Sequence, residues 1–599
     1  MGIQKTLPPG LDEVDVIIAG GGTAGCVIAA RLASALPNLQ ILLLEQGPNN
    51  FEDPFIVNLG LFFAHLMPDG DKGLFNKANP SRHVNGRELT VLSGGCLGGG
   101  SSINMGMYSR PQWSDFDGWG VEGWTTEDML RCMKKVEDYH DPDPEGTHGT
   151  RGPVQVSGGL YRAKRAEEDF LRALDEVGWP IVEDLQDLRA VNSFARARRM
   201  VSPEGRRQDA AHKYLHPRLS DRAHSNLHVL VETQAVKVLV EDGQAKGVVF
   251  RSNPKFGAAD VSEKAVKSRK MVVVSGGCFG SPTILQRSGV GPRDVLSKAG
   301  VPLLVENNGV GAGYEDHQAM AYGYKTSLEM EETLNGLLFG LTDIGELLKN
   351  NDPRLGYNGQ DVNGKIRPTD EEAETMGPAF KAVWDAHFRD TPDKPLAGLS
   401  LINGIPGLAK DIPPASYLGL SAFSMYPLSR GHVNITGPDM CDPVDFDTGF
   451  LADKDGIDIK KHIWTYKKQR EIMRRMPCYR GEVPSWHPPF PETSDAVCRD
   501  VTDALPDPIE DIVYTREDEE VIGLHVQAKA ETTWHSMGTC KMKAQEEGGA
   551  VDGKLGVYGV KGLKVADLSI CPRNVSGNTC MTALAIGENA ADIFIRELQ

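Results

Sequence analysis

Val14-Asp15-Val16-Ile17-Ile18-Ala19 runs straight into Gly20-Gly21-Gly22-Thr23-Ala24-Gly25 near the start of the chain. The first six residues have the composition of a buried strand, and the next six fit G-x-G-x-x-G. Cys26–Leu36 follows with apolar residues and alanines at helical spacing, and a second apolar run, Gln40-Ile41-Leu42-Leu43-Leu44, ends in Glu45. This strand, turn, helix, strand and acid are what a dinucleotide site requires. Gly20 permits the tight turn. Gly22 lets the backbone approach a pyrophosphate, whose charge rests on the helix N-terminus at Thr23 and Ala24. Gly25 lets helix and strand pack closely. Glu45, at the end of the second strand, can accept hydrogen bonds from a ribose.

The 599 residues exceed one compact core, so at least two domains are expected. Charged residues make up 24% and hydrophobic ones 40%, a globular composition. The formal charge of −18 argues against nucleic acid or an anionic membrane as the main partner. No apolar run is long enough for a membrane span, and Met1–Asp15 lacks the apolar core of a secretory signal. An intracellular enzyme, cytoplasmic or peroxisomal, is expected. The ten cysteines form no C-x-x-C pair, which leaves neither a disulfide framework nor a zinc site in view. Homo-oligomerisation is left open.

Strand-like runs cluster at Val14–Leu44, at Leu227–Phe250 with Met271–Ser275, and at Leu563–Ala566. The stretch from Asp316 to Glu531 is richer in proline and acids and carries longer amphipathic segments such as Asp458–Met476. A nucleotide domain assembled from separated segments, with a second domain inserted, accounts for this. Asp503–Glu520 reads as a solvated surface connection. Gly276–Gly280 after Met271–Ser275, with Val301–Val305 ending at Glu306, imitates a second dinucleotide fold. The helix there is expected to stop at Ser288–Pro292, too soon for a Rossmann crossover.

Gly98-Gly99-Gly100-Ser101-Ser102-Ile103-Asn104 and Gly280–Gly291 resemble the two signature segments of the glucose–methanol–choline (GMC) oxidoreductases, flavoenzymes that oxidise alcohols. Gly309-Val310-Gly311 with Asp316-His317, and the ending from Thr533-Trp534-His535 to Glu588, look like further family segments. The resemblance spans nearly the whole chain in motif order. Met107–Arg110, Val121–Trp124, Glu531–His535 and Tyr558–Val565 are most similar to the fungal alcohol (methanol) oxidases. The chain departs from the second family signature at Cys278, and from the methanol oxidases at Met105-Gly106 (a bulky aromatic and a methionine there), in a shorter segment before His535, and in a C-terminus that is no peroxisomal tripeptide. The resemblance implies an α/β fold: a Rossmann-like FAD-binding domain from residues 1–157, 223–325 and 531–599, and an α+β substrate-binding domain with an antiparallel sheet from 158–222 and 326–530.

The resemblance also implies the chemistry. FAD is the cofactor, held noncovalently, and the partner is a small-molecule alcohol with O2 or another electron acceptor. His535 is the base, since neutral imidazole takes a proton near physiological pH. Asn578 orients the alcohol through its amide. Gly99, Ser102, Asn104, Met105, Gly106, Met107, Asp567 and Thr579 are expected at the flavin, with Val236 at the adenine through its backbone. Met105 and Trp534 are expected to wall the substrate pocket. Met105 and Gly106 together should enlarge the space above the flavin, which implies a primary alcohol larger than methanol. Asp316-His317 is expected to shape the nucleotide domain, and His212 and His216, at i, i+4, to be surface histidines rather than metal ligands. The alternatives are a dehydrogenase with a non-oxygen acceptor, or a flavoprotein of this fold acting as a lyase or NAD(P)H-linked reductase.

Overall fold

The apolar strand runs of the N-terminal third assemble into one sheet in the computed structural model, which describes residues 2–405 and 412–599. Its order is Ile3–Gln4, Leu227–Leu230, Ile41–Leu44, Glu13–Ala19, Lys264–Val274, Gln244–Ser252 and Thr233–Glu241, with Leu563–Val565 also paired to Lys264–Val274. Glu13–Ala19 lies parallel between Ile41–Leu44 and Lys264–Val274. Both faces of these strands are covered, so they are apolar throughout rather than alternating. Helix Thr23–Ala35 returns over the sheet, and the C-terminal helix Cys580–Leu598 packs on it. Gly587 marks the crossing, where a Cβ would lie 2.8 Å from Val27 Cβ.

The second sheet is antiparallel, in the order Tyr479–Glu482, Gln318–Thr326, Tyr417–Ser424, Ala397–Ile402, Gln360–Ile366 and Ser193–Arg196. Gln318–Thr326, at the end of the second FAD-binding segment as divided by sequence, lies in this sheet, and Glu531–Thr532 pairs with it. One face, with Met320, Tyr322, Leu399, Leu401, Leu418 and Leu420, is core. Helix Ile457–Arg474 packs there, starting one residue before the predicted amphipathic segment and ending two before its end. The other face carries mainly small and polar residues, with Phe423 and Ile402 among them, and looks onto a cavity shared with the first sheet.

Met271–Val274 belongs to the first sheet rather than to a second nucleotide fold. Helix Gly277–Arg287 ends where expected, and Val305–Glu306 makes only a two-stranded ribbon with Val290–Gly291. Asp503–Glu520 is not wholly a surface connection: from Arg516 it is helix Arg516–Lys529, started by a Thr515–Asp518 capping box. All ten cysteines are free. No helix among the described residues is long and apolar enough to cross a membrane.

Candidate active site

A cavity of about 1100 Å³ runs from the glycine turn to the second sheet. That exceeds the ~300–1,000 Å³ of a single-ligand pocket and leaves room for a nucleotide cofactor and a substrate together.

The cofactor end is built from backbone. Gly20 has φ +121°, and a Cβ there would sit 2.1 Å from Ser275 O. Gly25 faces away from the cavity; its Cβ would lie 2.0 Å from Gly20 O, so it serves the close helix–strand packing. Helix Thr23–Ala35 has no side-chain cap and no acid in its first turn, and Gly22, Thr23 and Ala24 line the cavity. Such an uncapped N-terminus suits a pyrophosphate. Gly99, with φ +54°, lies against it; a Cβ would be 2.8 Å from Gly22 Cα. Glu45 accepts from Gly21 N (2.9 Å) and Gly47 N (2.8 Å) while lining the cavity. Burial pushes its carboxyl up to about 7, opposed by these hydrogen bonds. A β-bulge between Ala235 and Lys237 leaves Val236 without a cross-strand partner. Its side chain is buried, and Thr233, Gln234 and Ala235 line the cavity instead.

Asn104, Met105 and Met107 line the middle. Asn104 Oδ1 accepts from Gly106 N and Arg207 Nη1, both at 2.9 Å, which fixes the segment. Ser102 does not line the cavity; its buried hydroxyl donates to Leu97 O (2.8 Å) and accepts from Asn50. Gly106 does not line it either. Its φ is +62°, and a Cβ would meet Leu59 Cδ1 at 2.7 Å, so it adds no room above a flavin. Met105 alone carries that part of the expectation. Asp567 lines the cavity and is fully engaged, accepting from Gly277 N (2.9 Å), Ser281 Oγ (2.6 Å) and Ser569 N (2.8 Å). Thr579 starts helix Cys580–Leu598 without a side-chain cap, again opening an N-terminus to the cavity.

His535 and Asn578 meet on the wall, with Asn578 Nδ2 3.2 Å from His535 Nε2. His535 is 8% exposed. Its Nδ1 lies 2.9 Å from His317 Nδ1, and His317 Nε2 lies 2.8 Å from Val575 O. A carbonyl only accepts, so His317 Nε2 carries a hydrogen. Burial holds His317 down to about 4, hence neutral, and its Nδ1 is an acceptor. His535 Nδ1 must then donate, which leaves Nε2 as its free base. Burial keeps His535 well below the usual range and therefore neutral.

The loop before Asn578 is tied down by Asp115. Its Oδ2 accepts from Ser576 N (2.9 Å), Ser576 Oγ (2.5 Å) and Gln112 N (2.9 Å), and its Oδ1 from Tyr426 (2.6 Å). The loop before His535 is tied to Asp316, which accepts from His535 N (2.9 Å) and Thr532 Oγ1. Burial raises the Asp316 carboxyl to about 6. Asp316-His317 thus builds the active site rather than only shaping the nucleotide domain. Sequence reasoning had the pair but no sign that it would lie beside His535, because the contact spans 218 residues. Trp534 has φ +60°, is 42% exposed and stands at the cavity rim instead of its depth. His216 is buried, with Nε2 2.7 Å from Asn50 Oδ1, and His212 is part-buried on Asp209. They are not surface histidines: both pack with Phe51 behind the glycine-serine loop.

An uncapped dinucleotide cradle opening onto a neutral histidine beside an amide defines a nucleotide-cofactor redox enzyme. Two family models, both described as GMC oxidoreductase, match residues 14–319 and 427–587. The chain is 37% identical to an alcohol oxidase of Candida boidinii and 36% identical to one of Pichia angusta, in each case over 98% of this chain and 95% of the relative. A formate oxidase variant of Aspergillus oryzae has the same fold, with TM-score 0.83 at 22% identity over 98% of both chains. The chain belongs to the GMC oxidoreductases, FAD-dependent enzymes acting on CH–OH groups.

Proposed function

We propose that this enzyme oxidises a primary alcohol larger than methanol to its aldehyde, with O2 as the terminal acceptor. The observation that carries the reading is the His535 Nε2–Asn578 Nδ2 pair at 3.2 Å on the cavity wall, with the other His535 nitrogen committed to His317. The alcohol hydroxyl gives its proton to Nε2, while the Asn578 amide donates to the alkoxide oxygen that develops. FAD, when bound, supplies the acceptor for the hydride leaving the carbinol carbon. Proton and hydride together account for the two hydrogens lost. The alcohol oxidase relatives support oxygen as reoxidant, and the reduced O2 leaves as H2O2. Gly22, Thr23, Ala24 and Gly99 would hold the pyrophosphate, Glu45 the ribose, the Val236 backbone the adenine, and Asn104, Met105, Met107, Asp567 and Thr579 the flavin moiety. Met105 supports the larger substrate, since a flexible thioether can move aside where an aromatic ring cannot.

The test is anaerobic bleaching of the purified yellow protein by an alcohol panel, followed by admission of air. His535→Ala should retain FAD and lose about 10²–10⁴ in reduction rate. Bleaching at the parental rate would remove His535 from the mechanism. Flavin that stays reduced in air would replace O2 by another acceptor.

A further inference from the structure

Beyond the reacting groups, the cavity continues over the open face of the second sheet. Three neighbouring strands put Ala321, Ser421 and Ser400 directly opposite one another across that face. Their own strands alternate cleanly: Met320, Tyr322, Leu420, Leu399 and Leu401 point into the core. The row therefore forms a floor of small side chains where a sheet facing a cavity could equally carry Leu or Phe. One register step toward His535 stands Phe423, its ring centroid 5.8 Å from that of the histidine. The chamber thus widens just past the reacting carbon.

Small residues alone would define only space. Two polar groups turned into the same space say more. Gln360, paired with Ile402 at the edge of this floor, is 6% exposed and lines the cavity. Its amide nitrogen touches only Met105 Sδ, at 3.7 Å, and its carbonyl has no partner among the described residues. Ser400 is 8% exposed, and its hydroxyl has no partner among them either. An amide carbonyl and a hydroxyl without protein partners, open to a largely buried cavity, are offered to water or to a ligand that completes them. No charge stands on the row. Glu45 and Asp567 are held by the glycine turns, Arg287 faces Asp439 and Asp442, Glu531 is paired with Arg87, and Lys529 is exposed.

Resting on the oxidation proposed above, we infer that the substrate is a bulky, neutral primary alcohol carrying a second hydroxyl or carbonyl oxygen. Its body lies on the Ala321–Ser421–Ser400 row, and the second oxygen is met by Gln360 with the Ser400 hydroxyl. A charged group would be desolvated there without a counter-ion, and a short alkanol would leave the amide unpaired.

The experiment measures anaerobic flavin reduction in the holoenzyme by hexanol, by a ring-hydroxylated hydroxymethylnaphthalene and by its ring-methylated analogue. The dissociation constant of each matching naphthaldehyde, read from the shift in flavin absorbance, gives a second readout. The hydroxylated compound should exceed the methylated one by at least about tenfold in kcat/KM, and its aldehyde should bind more tightly in the same order. Gln360→Leu should level that pair. Ser421→Leu should lower both naphthyl alcohols relative to hexanol by about tenfold or more. Ala321→Val makes the same test if Ser421→Leu does not fold, and the parental preference needs no variant at all. Hexanol as the best of the three, an equal naphthyl pair in the parent, or parental ratios in both variants would overturn the inference. Failure of every alcohol to bleach the flavin would instead overturn the oxidation itself.

Discussion

With His317 Nε2–H bound to the Val575 carbonyl, the His535 imidazole has one tautomer open to it, the one with its basic nitrogen toward Asn578. In the proposed mechanism His317 is a positioning residue: it hydrogen-bonds His535 and does not line the cavity. His317→Leu removes the acceptor for His535 Nδ1–H and frees the ring to turn. FAD content should be unchanged, flavin reduction should fall about tenfold or more, and the pH profile of reduction should shift as the base loses its fixed tautomer. His317→Gln, whose carbonyl can accept the same hydrogen bond, should recover most of the rate. Equal rates and profiles in the Leu and Gln variants would make His317 a packing residue only. His535 was singled out from sequence as the candidate base because its motif surrounds it. His317 was not, since no local pattern reports a tautomer set across 218 residues.

At the scale of elements, the cofactor cradle is one loop pressed on another. Gly99 adopts φ +54° against Gly22 Cα, and neither backbone can yield without moving the start of helix Thr23–Ala35. Gly99→Ala should therefore fold with a lower melting temperature and a reduced flavin-to-protein absorbance ratio, while Gly100→Ala, whose Cβ meets nothing within 4 Å, should keep its structure. Asp115 sets the opposite wall, clamping Ser576 two residues before Asn578. Asp115→Ala should retain FAD and slow reduction by loosening Asn578, with the loss in kcat larger than any rise in the substrate dissociation constant. The strand–turn–helix around Gly20–Gly25 was readable because period, turn chemistry and terminal acid agree locally. Which way Gly106 and Ser102 face was not, because a loop has no period to fix which side points inward. The small-residue floor was equally hidden. Ala321, Ser400 and Ser421 are unremarkable in sequence and become neighbours only through antiparallel register.

The whole molecule encloses its site between two sheets, and that enclosure buries an unusual set of histidines. Burial is the leading cause that lowers His65, His216, His317, His462 and His525 each to about 4, and it lowers His487 and His535 in the same direction. In the unfolded chain a histidine protonates near 6.5. Below that pH the unfolded state binds protons that the folded state refuses, so these groups contribute stability present above about 6.5 and lost as pH falls toward about 4. Glu45, raised to about 7, and Asp316, raised to about 6, act oppositely, since the folded state holds their protons where the unfolded state releases them. Asp115, Asp453 and Glu531, also raised by burial, and His148, raised despite burial by its hydrogen bonds to Asp184 and Glu137, act in the same sense as these two carboxyls. His228 and His387, lowered by burial, join the seven histidines, whose large shifts dominate between about pH 6.5 and pH 4.5. The melting temperature of the holoprotein should therefore be highest near pH 7 and fall steadily between about pH 6.5 and pH 4.5, before the ordinary carboxylates begin to protonate. Circular dichroism melts across that range, with flavin fluorescence reporting cofactor release, measure it directly. A melting temperature flat or rising on acidification would mean that the folded protein accepts protons on these rings, and the neutral His317–His535 relay would fall with it, because a protonated His317 has no lone pair to offer His535.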